Sequence, residues 1–290
     1  MDIKLEDINQ SKFGEQYLSN RKRLSSATGV KLIDNNHLLT ASFVGCRLYL
    51  IHFDYESKES VVLDSIDTTL DNKLVCPDLL DFNGINGDST IALSILNENA
   101  VLLYELKNNK LFKKAQIKIP RKGKCHGVCF HPVKKNVVLA TSNYYDNYLC
   151  YIDMETKEVL DYVDYSFKVQ DARFCNEKMV IVGVNSFPSF KFSRLLTLKR
   201  MLKKPLSFLN IDGKVYKYED THFDGIGIIN DKIYIADQPN DCVLVINFSG
   251  EVENTIKGMS FPHGLDVNAN YLAVSNYGTN SVTIIAMENT

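Results

Sequence analysis

Residues 125–132 read CHGVCFHP, and residues 262–265 read PHGL. Both place His-Gly before an aliphatic residue, and that echo makes the first stretch one copy of a repeat. Alignment on it exposes six copies: ATGVKLIDNN from Ala27, CPDLLDFNGI from Cys76, CHGVCFHPVK from Cys125, VQDARFCNEK from Val169, FDGIGIINDK from Phe223 and PHGLDVNANY from Pro262. Each copy opens on a polar or small residue, reaches Gly or Asp, alternates apolar positions and ends in a turn rich in Asn, Asp, Gly or Lys. A short apolar run follows (HLLTAS, TIALSI, NVVLAT, KMVIVGV, KIYIAD, YLAVSN), then a third, alternating run such as RLYLIHF or VLVINFS. A more polar fourth segment usually closes the unit.

The anchors Gly29, Asp78, Gly127, Asp171, Gly225 and Gly264 are spaced by 49, 49, 44, 54 and 39 residues. Strand-length segments at such a period, with no helical periodicity, predict propeller blades. The last copy stops after its third strand. The N-terminal MDIKLEDI, with Ile3, Leu5 and Ile8 apolar, is expected to supply the missing outer strand from about Ile3 to Ile8 and so remove an open sheet edge. The first twenty residues hold no seventh copy. The expected fold is all-β: a six-bladed β-propeller of four-stranded antiparallel blades, forming a single domain over residues 1–290.

These repeats resemble six-bladed propellers of the NHL-repeat and gluconolactonase-like kind over nearly the whole chain. The PHGL…YLAVSNYGTNSV unit also looks like the PHG repeats of streptogramin B lyase. The chain has no tryptophan, which excludes WD-type repeats. The gluconolactonase resemblance implies a metal held by a first-blade glutamate, asparagines and the aspartate of a DG motif. Asp224 of FDGIG matches that last element. Ser25, Ser26 and Thr28 stand where the glutamate would be, and histidines replace the asparagine of NG motifs, which suits zinc, iron or a general base better than calcium. The lyase resemblance implies a base-like role for His263.

Bulk properties fit a soluble protein: 45% hydrophobic and 23% charged residues among 290, with a net charge of -2 that gives no reason to expect nucleic-acid binding. No basic-then-apolar leader opens the chain, and no stretch reaches the roughly 18 apolar residues of a membrane helix. Seven scattered cysteines without a C-x-x-C pair argue for reduced, buried thiols in a cytoplasmic protein, expected to be a monomer.

Strand alternation decides how CHGVCFHP is read. It puts Cys125, Cys129 and His131 on one face and His126 on the other. The two cysteines would lie about 13 Å apart at the usual strand rise, too far to share a zinc ion with bonds of roughly 2.3 Å. They are packing residues. His126 instead belongs to a ring at the channel mouth, formed by Thr28, Pro77, His126, Gln170, Asp224 and His263. Residues after the second strands (Asn143, Asn185, Asp237 and Asn276) return to the same face. His126, Asp224 and His263 form a candidate catalytic set and a candidate site for one divalent metal ion.

Blade 4 carries an insertion, residues 186–206, within a stretch from Lys178 to Ile211 that has no carboxylate but has Lys178, Lys191, Arg194, Lys199, Arg200, Lys203 and Lys204. Leu195, Leu198 and Leu202 share one side at helical spacing. The arm is read as a lid bringing Lys199 and Arg200 to an anion, as a docking arm for an acidic protein or phospholipid surface, or as a solvated hairpin.

Two functions follow. One is a metal- or histidine-assisted hydrolase or lyase acting on a lactone, ester or sugar-like anion. The other is a non-catalytic propeller serving as an interaction or membrane-docking scaffold. Nucleic acid is not an expected partner.

Overall fold

Alternating apolar positions in each repeat pair into six four-stranded antiparallel sheets arranged as a six-bladed β-propeller. A computed structural model describes residues 1–5, 27–84, 89–185 and 205–287. The innermost strands are Ala27–Leu32, Pro77–Asn83, Cys125–Phe130, Lys168–Cys175, Phe223–Ile229 and Pro262–Val267. They follow one another around the central channel, the last beside the first. Second strands are buried nearly throughout, whereas outer strands such as Val252–Lys257 are exposed on most positions. Burial by both neighbouring blades explains the continuous apolar runs of the second strands.

Six hydrophobic clusters fill the six gaps between adjacent blades. Blade 6 closes as expected. Asp2–Lys4 pairs antiparallel with Ser281–Ala286, matching Asp2 with Thr283 and Lys4 with Ser281. Ile3 and Leu5, 4% and 6% exposed, pack into the blade 6–blade 1 cluster. Burying each contributes about 1.5–3 kcal/mol. Residues of the expected strand beyond Leu5, including Ile8, lie outside the described residues, as do residues 186–204 of the basic insertion with Lys199 and Arg200. Leu206, at the insertion's end, already belongs to the third strand of blade 4, Leu206–Ile211.

One irregularity recurs in every blade. The register between first and second strands shifts between Ala27 and Val30, Pro77 and Leu80, Cys125 and Val128, Val169 and Asp171, Phe223 and Ile226, and Pro262 and Leu265. A bulge of this kind inserts one residue and re-aims a side chain. It also corrects the face assignment of CHGVCFHP. Cys125 joins the cluster between blades 2 and 3, and Cys129 the one between blades 3 and 4, so the two thiols face opposite ways. Both remain packing residues. His131 lies beyond the strand, where its Nδ1 accepts the Val133 and Lys134 N–H groups at 3.2 and 3.1 Å.

Blades approach closely at the bulges. A Cβ on Gly127 would stand 2.7 Å from the Gln170 carbonyl oxygen, and one on Gly225 2.7 Å from that of His263. This close approach of backbones is why glycine recurs at the anchor. Second-strand hydroxyls satisfy backbone groups freed there. Thr141 donates to the Gln170 carbonyl at 2.9 Å and accepts the Gly127 N–H at 2.7 Å, while Ser94 and Ser275 donate to the His126 and Thr28 carbonyls of the next blade.

Candidate metal centre at the channel mouth

The bulges turn one residue per blade into the channel. Register fixes the ring as Thr28, Asp78, His126, Gln170, Asp224 and His263, because Pro77 pairs with Ile95 as Cys125 pairs with Ser142. The blade 2 member is therefore Asp78 and not Pro77. Matching Cys76 to Cys125 by sequence is one residue off, because Leu79 stands where most blades have the anchor glycine. A Cβ on Gly29 would lie 3.2 Å from the Leu79 Cα, which identifies Leu79 as the occupant of the glycine place.

His126, Asp224 and His263 do come together, and Asp78 joins them. His126 Nε2 lies 3.2 Å from Asp224 Oδ1 and 3.6 Å from Asp78 Oδ2. His263 Nε2 lies 3.3 Å from Asp78 Oδ1 and 3.7 Å from Asp224 Oδ2. The imidazoles stack with centroids 5.2 Å apart and planes at 19°. Asp78, His126 and His263 offer ligand atoms within 4.8 Å of one another. All four groups are buried, His263 the least so at 8% exposed.

Hydrogen bonding decides which atoms face the centre. His126 Nδ1 donates to the Gln170 carbonyl at 2.9 Å, so in the neutral ring Nε2 carries a lone pair. Gln238 Nε2 donates to Asp224 Oδ2. Both oxygens of Asp78, Asp224 Oδ1 and His263 Nδ1 are buried with no hydrogen-bond partner. Two carboxyl groups and two imidazole Nε2 atoms thus converge with no side-chain cation among them.

Although the separations are those of ion pairs, the electrostatics run the other way. Burial pushes Asp78 and Asp224 well above the usual carboxylate range, helped at Asp78 by the Asp224 charge. Burial also pushes His126 down to about 3 and His263 well below its ordinary value, the latter aided by His126. Burial thus favours the neutral form of all four groups, protons on the acids and none added to the bases. A divalent cation would replace those protons and satisfy the converging lone pairs together. The ligand atoms of Asp78, His126 and His263 lie near enough for one ion to reach all three with modest side-chain adjustment, at zinc bond lengths of about 2.0–2.2 Å.

A second group lies just above. Gln170 receives the Asn143 Nδ2 on its Oε1 at 2.6 Å and its Nε2 stands 3.2 Å from His222 Nε2. His222 is pushed down to about 4, first by burial and then by Lys168. His222 and Gln238 carried no signal in the repeat alignment, since each lies beside a residue that did. The other expected loop residues turn away. Asp237 accepts the His222 N–H at 2.9 Å, Asn276 accepts the Ser260 N–H at 2.9 Å, and Asn185, exposed, accepts the Leu206 N–H at 3.3 Å. Asp237 and Asn276 pair with Phe223 and Pro262, one position short of the place Asn143 occupies in its own blade, and a one-residue offset reverses a strand side chain.

The far end of the channel is closed by ions of both signs. Lys31 Nζ bridges Asp81 and Asp266 at 3.1 and 3.0 Å. Arg173 pairs with Asp171 at 3.0 Å and donates to the Val128 and Leu80 carbonyls at 2.6 and 3.3 Å. Burial opposes the Lys31 charge, yet Asp266 and Asp81 outweigh it and raise its pKa.

No family model matches this sequence, and no curated protein matches it. Solved structures do. A catalytically inactive histidine-to-alanine variant of virginiamycin B lyase from Staphylococcus aureus, with quinupristin, aligns at TM-score 0.60 and 11% identity over 100% of this chain and 86% of that one. The C-terminal WD40 domain of Sif2 aligns at TM-score 0.55 and 10% identity, covering 92% of this chain and 97% of that one. Raptor from Chaetomium thermophilum aligns at TM-score 0.59 and 8% identity over 94% of this chain, which spans 30% of Raptor's length. At such identities the likeness is one of fold. Among the described residues no helix is long and apolar enough to cross a membrane.

Proposed function

We propose that the chain is a small-molecule enzyme, a hydrolase or lyase acting on a lactone, ester or sugar-like anion at the channel mouth, with one divalent cation held by Asp78, His126 and His263. The observation that carries this reading is the convergence of buried carboxyl oxygens and imidazole nitrogens from those residues and Asp224 on one point. Imidazole and carboxylate together suit zinc or a similar transition metal. Such a cation would polarise a carbonyl or acidify a bound water. His126 is oriented by the Gln170 carbonyl, as metal-binding imidazoles usually are by an outer hydrogen bond. Asp224, held through Oδ2 by Gln238, would be a further ligand to such a cation or the base that accepts a proton from a water or substrate bound beside it. The fold likeness to virginiamycin B lyase across the whole chain supports an enzyme on this scaffold.

The depth of the centre favours a second reading. If Asp224 stays on the cation as a fourth ligand, the cation is closed off in the manner of structural sites, and the propeller is a scaffold, in line with its likeness to WD40 domains. Hydrolysis and elimination assays on lactones and esters with cation-loaded protein separate the two. Turnover that is abolished by EDTA and by Asp224→Asn supports the enzyme; a stoichiometric cation without turnover supports the scaffold.

A further inference from the structure

The mouth above the centre has two unlike halves. Asn143 follows the second strand of blade 3, and the same place is held by Phe43 in blade 1, Leu96 in blade 2, Gln238 in blade 5 and Tyr277 in blade 6. On blades 6, 1 and 2, Tyr277, Phe43 and Leu96 join Cys46, Cys76 and Val44 in one apolar cluster, with Val44, Leu96 and Tyr277 only partly buried. Phe261, which enters blade 6, lies 6.3 Å from the Tyr277 ring, itself 5.8 Å from the His263 ring.

Blades 3 to 5 present the opposite chemistry. The residues two places before His126, Gln170 and Asp224 are Lys124, Lys168 and His222, where blade 2 has Cys76 and blade 6 has Phe261. Lys124 and Lys168 lie 4.7 and 5.2 Å from the centroid of one ring, Tyr144. Burial lowers the Lys168 pKa. A basic arc therefore faces an aromatic and aliphatic wall across the histidine pair.

We infer that the mouth binds an amphiphilic organic anion, its carboxylate, sulfonate or phosphate over Lys124 and Lys168 and its apolar body against Phe43, Leu96 and Tyr277. A ligand so laid crosses His126 and His263 between its two ends. Ammonium groups on one side and apolar surface on the other also fix its direction, as a few placed polar groups in an apolar pocket do. This rests on the enzyme reading for what is done to the ligand, and not for the binding itself.

The test is equilibrium fluorescence binding of two probes that share a body and differ in the charged group, 8-anilinonaphthalene-1-sulfonate and N-phenyl-1-naphthylamine. The sulfonate should bind about tenfold tighter, a difference of about 1.4 kcal/mol, and the preference should shrink as salt rises past about 0.15 M. Lys124→Gln with Lys168→Gln should remove the preference without weakening the neutral probe, and Lys→Arg at both places should retain it. Tyr277→Ser should weaken both probes. Equal affinities for the two probes, or a preference untouched by the double Gln variant, would overturn the inference. Probe preference kept in a protein that turns over nothing upholds this inference while the enzyme reading fails.

Discussion

Two tiers of one channel, three residues apart along each inner strand, solve the burial of charge differently. At the lower tier Lys31 stands between Asp81 and Asp266, and Arg173 reaches across to carbonyls of blades 2 and 3. At the upper tier Asp78 and Asp224 also come from different blades and are as deeply buried, but the groups between them are the neutral-leaning imidazoles of His126 and His263. Burying a carboxylate without a partner is costly enough that it either takes a proton or acquires a cation. The lower tier encodes its cations in the sequence. The upper tier has no side-chain cation among its four groups, and the contrast is what the proposed external ion would explain.

The largest effect should come from breaking the tier that is already balanced. Lys31→Met leaves Asp81 and Asp266 buried without their direct cation, with only Arg173 nearby, and should cost about 3–5 kcal/mol in denaturant unfolding. Loss of less than about 1 kcal/mol would mean that the lower network is better hydrated than its burial indicates.

The same kind of change at the upper tier should behave otherwise. In cation-free protein, Asp78→Asn removes an acid that burial already neutralises, so stability should change by less than about 1 kcal/mol. In cation-loaded protein it should abolish most of the ligand-linked stabilisation, about 4 kcal/mol at a cation concentration a thousandfold over Kd. Thermal melts with and without EDTA read both numbers. A substitution equally damaging with and without cation would make Asp78 a structural residue like Asp81.

Legibility from sequence divided along the same line. Six repeats, the closing N-terminal strand and the histidine pair were readable because they rest on alternation and on glycine at a crowded backbone position. Asp78 was not, because Leu79 fills the glycine place and the register of blade 2 cannot be fixed without it. Asn276 and Asp237 were misplaced for a related reason: a single-residue offset at a strand end exchanges channel for backbone, and only pairing reveals it. His222 and Gln238 became visible only once blades 4 and 5 were side by side. Gln170 and Asn143 do meet at the mouth, as the repeat positions implied.

A smaller effect sharpens the comparison through pH. Between the ordinary histidine value of 6.5 and about 3, the unfolded chain protonates an imidazole that the folded site leaves bare, so His126 makes stability fall as pH drops through that window. Asp78 and Asp224, shifted upward, hold protons in the folded cation-free protein that the unfolded chain releases above about 4, so their contribution falls as pH rises. A cation needs both imidazoles and both carboxylates deprotonated. The gap in melting temperature between cation-loaded and EDTA-treated protein should therefore widen from pH 5 to pH 8, by a few degrees. A gap that stays constant would show that the cation does not compete with these protons.

The central claim is most directly tested by elemental analysis of the untagged chain after dialysis against trace divalent metals, beside the Asp78→Asn and His126→Ala variants. The account expects close to one zinc-like ion per chain in the parent protein and far less in either variant, with Lys31→Arg unaffected. A parent chain that retains no stoichiometric metal while remaining folded would contradict it, and would leave the upper tier as four buried groups sharing protons.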